Sequence, residues 1–130
     1  MMGGEALETV TSKYNFDETV GALKDAIQTA GFLLIHEINT QQILGRHGIL
    51  INGFKQLLYF NPVYMKQLLD LHPEAAIQAP LKFLVREEQN GVVKVSCFKP
   101  STLFSSSINL DEFSSKLDEI SDRISASIIS

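Results

Sequence analysis

The chain has 130 residues, 45% hydrophobic and 20% charged, a composition that suits one soluble globular domain over 1–130 and excludes disordered or collagen-like classes. A net charge of −4 argues against a nucleic-acid partner, which is gripped through its phosphates by clustered Lys and Arg. No apolar run approaches the roughly 20 residues of a membrane helix, so no membrane partner is expected.

Met1 to Val10 carries Glu5 and Glu8 and lacks the basic stretch and apolar centre of a secretory signal. The single cysteine, Cys97, leaves no internal disulfide, and a reducing, cytoplasmic compartment is the natural reading.

Residues 6–14 alternate loosely through Leu7, Val10 and Tyr14 and read as a first strand. Asn15 with Glu18 three residues on has capping-box spacing. The helix it opens, near 16–30, carries Phe16, Val20, Leu23, Ile27 and Ala30 on one buried stripe and stops at Gly31. Phe32 to Ile38 follows as a strand, Thr40 to Leu44 as a helical turn ended by Gly45, and Gly48 to Gly53 as irregular chain.

Gln56 to Phe60 is a third strand. Asn61-Pro62 starts a helix near 62–72, with Asn as cap and Pro at the first helical position. This helix is expected to turn Met65, Leu68 and Leu69 inward, before a short helical piece over Pro73 to Gln78.

Leu81 to Glu88 and Val92 to Phe98 form a hairpin around Gln89-Asn90-Gly91. A two-residue turn and a three-residue loop compete and differ by one position in register. The three-residue loop, with Gly91 left-handed, gathers Phe83, Val85, Val93, Val95 and Cys97 on one buried face and is preferred. Asn109, with Glu112 completing a second capping box, is expected to cap a last helix over 109–128 with a stripe of Leu110, Phe113, Leu117, Ile120 and Ile124. Strands alternating irregularly with helices, around one certain hairpin, predict an α+β fold: a single antiparallel-rich sheet of five strands with helices packed on one face.

Phe16-Asp17-Glu18-Thr19-Val20 with Leu23-Lys24 and Gly31-Phe32, Ile38-Asn39 with Ile43-Leu44, Leu57 to Pro62, Pro80 to Val85, and Asn90 to Val95 occur in the order and spacing of a known family. Over about residues 12 to 104 the chain resembles the bacterial and archaeal domain of unknown function 302 family. The resemblance implies a fold similar to the TATA-binding-protein-like arrangement, often as a homodimer, and implies no known reaction. Some relatives carry a cysteine where this chain has Phe60, and some where it has Leu81, so a thiol pair or thiol-based metal role does not transfer. Many have Asp-Pro after the last strand, where this chain has Lys99-Pro100.

The histidines His36, His47 and His72 share no ligand spacing with one another or with Cys97, and no metal or cofactor is expected. Neither Gly45, Gly48 and Gly53 nor the serines at 105–107 reproduce a phosphate loop or a nucleophile elbow. His36 next to Glu37 suggests a general base, yet neighbouring strand residues point to opposite faces. In the preferred register Lys82, Arg86, Lys94 and Ser96 share the outer face of the hairpin, with Arg86 directly opposite Lys94. A bound anion, or the acidic flank of the last helix (Asp111, Asp118, Glu119, Asp122), would neutralise that strip.

Two functions follow. The favoured one is a non-catalytic homodimeric module for a small, anionic ligand or a partner, using Lys82, Arg86, Lys94, His36 and Asn61. The alternative is a small acid–base enzyme with a cleft near His36 and Asn61.

Overall fold

A computed structural model of the chain describes residues 7–105, 107 and 109–129. In chain order the elements are β1 (Leu7–Thr11), α1 (Phe16–Thr29), β2 (Leu33–Asn39), α2 (Thr40–Gly45), β3 (Phe54–Phe60) and α3 (Pro62–Leu71). A 3₁₀ turn (Pro73–Gln78), β4 (Leu81–Glu87), β5 (Val93–Phe98), the one-turn α4 (Pro100–Leu103) and α5 (Asp111–Ala126) complete it.

Side-chain caps set the first helix starts. The Asn15 side chain accepts the Glu18 amide at 2.8 Å while the Glu18 carboxylate accepts the Asn15 amide, which completes the predicted box. The Asn39 side-chain oxygen likewise accepts one amide at the start of α2, and that of Asn61 accepts two at the start of α3.

The last helix differs from expectation. Asn109 is not its cap: it adopts φ 67°, the residue before the helix is Leu110, and no side-chain cap bond forms. Leu110 is fully buried. Burying a leucine is worth about 1.5–3 kcal/mol against about 1 kcal/mol for a cap, so the core position wins. Asn is also among the few residues that tolerate the left-handed region. Leu69 departs as well: it is exposed, and Leu68 is the one buried residue of α3.

The strands form one antiparallel sheet in the order β1-β5-β4-β3-β2. The α1 stripe (Phe16, Val20, Leu23, Ile27) and the α5 stripe (Phe113, Leu117, Ile124) share one core with Leu57, Tyr59, Phe83, Val85, Val93 and Val95. Aromatic rings run through it: Phe83 stacks on Tyr59 at 5.2 Å, Tyr59 meets Phe32, and Tyr64 and Phe104 each meet Phe113 edge-on.

The hairpin takes the three-residue loop. Gly91 has φ 86°, its amide donates to the Glu88 carbonyl, and Val85 stands opposite Val95. Cys97 shares the core face but is half-buried, because it lies near the strand end beside Glu8 of the edge strand. Among the described residues no helix is long and apolar enough to cross a membrane.

Candidate functional site

Residues opposite one another on antiparallel strands share a face, and faces alternate along each strand. With α1 and α5 on the side of Phe83 and Val85, the other side of the sheet is left open. The cross-strand rows on that side can be read from the register.

His36 pairs with Leu58 and Leu58 with Lys82; the same register continued brings Phe98 beside Lys82, and Phe98 pairs with Leu7. A second row holds Ile38, Gln56, Leu84, Ser96 and Thr9. A third holds Phe54, Arg86, Lys94 and Thr11.

Four of the candidate residues, Lys82, Arg86, Lys94 and His36, therefore lie on one surface. His36 and Lys82 sit two strands apart, about 10 Å at the usual strand spacing. Asn61 is not among them. Its oxygen accepts from the Val63 and Tyr64 amides and its amide donates to the Gly31 carbonyl at 2.7 Å, so it joins the start of α3 to the turn before β2.

Arg86 does stand opposite Lys94, and each cation has its own partner. Arg86 reaches the Glu88 carboxylate at 3.2 Å and Lys94 donates to the Thr11 hydroxyl at 2.7 Å. The Lys82 side chain makes no ion pair or hydrogen bond among the described residues. The acidic flank of α5 does not face this strip within one subunit, because α5 packs on the opposite side. Asp118 instead accepts from the Ser101 amide at 2.8 Å, and Asp122 lies 3.8 Å from Lys99, which is also 3.8 Å from Glu8.

A cleft opens at one end of the open side. Leu58, Lys82 and Phe98 form its floor, Ile77 to Pro80 one wall and Leu103 another, around about 320 Å³. Ile77 is 87% exposed and Phe98 40% exposed. Sequence reading found Lys82 but not the cleft, because the walls come from segments far apart in the chain. The one local signal was Ile77, a large apolar residue in a short helical piece between two prolines.

Two polar clusters on the helix side were not foreseen. Glu37 sits there, paired to Lys24 of α1 and at 2.8 Å to Lys55 of β3. Partial burial pushes its carboxyl up, but the two ammonium groups together outweigh this and hold it below the usual carboxylate range.

Burial likewise pushes the Tyr59 hydroxyl and the Cys97 thiol up, while the neighbouring Ser121 hydroxyl pulls the other way without reversing it. Cys97 is thus a protonated thiol at neutral pH, with the character of a packing residue.

A solved crystal structure, that of an uncharacterized conserved protein DUF302 from Bacillus stearothermophilus, is similar to this chain in fold. The TM-score is 0.79 at 22% identity, with 95% of each chain covered. No curated protein matches the chain. The family model described as "Domain of unknown function DUF302" matches residues 8–130, well past the stretch whose motifs carried the resemblance, and the chain belongs to that family.

Proposed function

We propose that the chain is a non-catalytic binding module that works as a homodimer in the cytoplasm and takes a small anionic ligand on the open side of its sheet. The observation that carries this reading is the gathering of Lys82, Arg86, Lys94 and His36 on the one sheet surface that α1 and α5 leave uncovered. Apolar side chains lie among these polar groups, Leu7, Leu33 and Phe98 being exposed there. Mixed apolar and cationic surface of this kind suits an anion with an apolar part, or a second subunit, better than it suits bulk water.

Acid–base catalysis asks for a carboxylate beside His36 and a free Asn61. Glu37 lies on the opposite side between two lysines, and Asn61 is occupied by three backbone groups, which favours binding over catalysis.

Native mass spectrometry of the protein purified from its own host tests both halves of the proposal. The expected species has twice the 14.4 kDa chain mass and retains a small acidic molecule. A bare monomer that no phosphate, dicarboxylate or monocarboxylate stabilises in a thermal melt would overturn it.

A further inference from the structure

We propose that the cleft between β3–β4–β5 and the 3₁₀ turn binds a small monocarboxylic acid with an apolar body, its carboxylate on Lys82 and its body against Leu58, Pro80 and Phe98. The inference rests on reading the open side as an anion-binding surface and names the ligand class within it.

The cleft holds about 320 Å³, at the small end of the range for ligand sites. Six of its lining residues are apolar (Leu58, Ile77, Ala79, Pro80, Phe98, Leu103), and the polar ones are Lys82 and Gln78. Among the described residues no carboxylate lines it. The lysine is the cation of the open strip without an ion pair or hydrogen bond among the described residues, whereas Arg86 and Lys94 are engaged by Glu88 and Thr11. A single negative charge thus finds a matching positive one, and the Gln78 amide offers a second donor.

The choice of monocarboxylate over phosphate follows from the lining. A phosphate dianion loses much hydration on entering apolar walls and needs several donors, such as an arginine fork or successive backbone amides, to replace it. One lysine, a compact point charge, balances one carboxylate. The exposed Ile77 and Phe98 supply the apolar contact that an inorganic anion would not use.

The test is an amide-resolved NMR titration of the full chain with 3-phenylpropionate, with its neutral amide 3-phenylpropionamide, and with inorganic phosphate. The carboxylate is expected to shift the backbone amides of Leu58, Lys82, Phe98 and residues 77–79, and to bind about tenfold or more tightly than the neutral amide. Lys82→Met should remove that preference and Lys82→Arg keep it. Ile77→Asp places a like charge at the cleft from an exposed position, leaves the spectrum otherwise folded, and should abolish binding.

Equal affinity for acid and amide overturns the proposal, since charge is then not read. Shifts centred on Arg86 and Lys94 with phosphate alone would overturn the cleft assignment and leave the anion-binding reading standing. Silence with all three probes would overturn both.

Discussion

The two sides of the sheet are written in the same strands and solve different problems. Along β4, Phe83 and Val85 face the helices and are fully buried, while Lys82 before them and Arg86 after them face out. Along β5, Val93 and Val95 face in and Lys94 faces out. The helix side is specified by packing, where Leu57, Tyr59, Phe83, Val85, Val93 and Val95 share one core with the helices. The open side keeps a mixture of cations and apolar groups that the core does not require, and that surplus is where function is sought.

The largest expected effect tests this contrast with one residue type. Phe83 on β4 and Phe98 on β5 lie on opposite sides, the first fully buried and the second exposed. Phe83→Ala leaves a cavity beside Tyr59 and should cost about 3–5 kcal/mol. Phe98→Ala removes a side chain only partly withdrawn from water and should cost about 1–2 kcal/mol. Urea denaturation of both variants measures the difference. Equal losses would mean that the open side is packed as firmly as the helix side, and the contrast would fail.

Next in size is the turn that sets which residues face where. Gly91 at φ 86° closes the loop between β4 and β5. Gly91→Val places a β-branched residue in the left-handed region and should cost about 1–2 kcal/mol, while Gly91→Asn should keep most of the stability. Indistinguishable midpoints for the two variants would show that the loop does not need the left-handed conformation.

A smaller effect belongs to the edge of the helix side. Glu37 joins Lys24 on α1 to Lys55 on β3, so Glu37→Gln should cost roughly 1 kcal/mol at neutral pH. Because the folded carboxyl is held below its unfolded value, its contribution is present above the unfolded pKa, about 4.3, and is lost as pH falls through the folded value. The gap in melting temperature between the parent and Glu37→Gln should therefore be open at pH 7 and close as the pH is lowered past 4. A gap that stays constant into acid would assign the effect to packing instead of charge.

What was legible in the sequence was what depends on neighbours in the chain. Period-two alternation and the Asn-Gly loop identified the hairpin faces and register, and Asn15 and Asn61 marked two helix starts. Asn109 misled because its local spacing was that of a cap, while the burial of Leu110 decided the backbone there. Glu37 between Lys24 and Lys55, and Ser121 between Tyr59 and Cys97, each join elements whose meeting no local pattern encodes. The cleft escaped for the same reason: Lys82 was readable as an outward cation, but not the wall that Ile77 and Leu103 raise beside it.

The smallest expected effect concerns Arg86 and Lys94, which stand opposite each other on the open side. Like charges so placed cost roughly 0.2–1 kcal/mol, yet Glu88 and Thr11 draw the two groups to separate partners, which lowers that cost. Lys94→Ala should therefore change stability by no more than about 0.5 kcal/mol, and in the stabilising direction at low salt, where the residual repulsion is least screened. Glu88→Gln leaves Arg86 facing Lys94 without its carboxylate and should destabilise by a similar amount at low salt. Raising the ionic strength should erase both effects, since the groups lie at the surface. If Lys94→Ala instead destabilised the protein at low salt, and added phosphate raised the stability of the parent but not of the variant, the pair would be holding an anion between them. The strip would then act as one charged unit, and the distinction between the engaged cations and Lys82 would no longer hold.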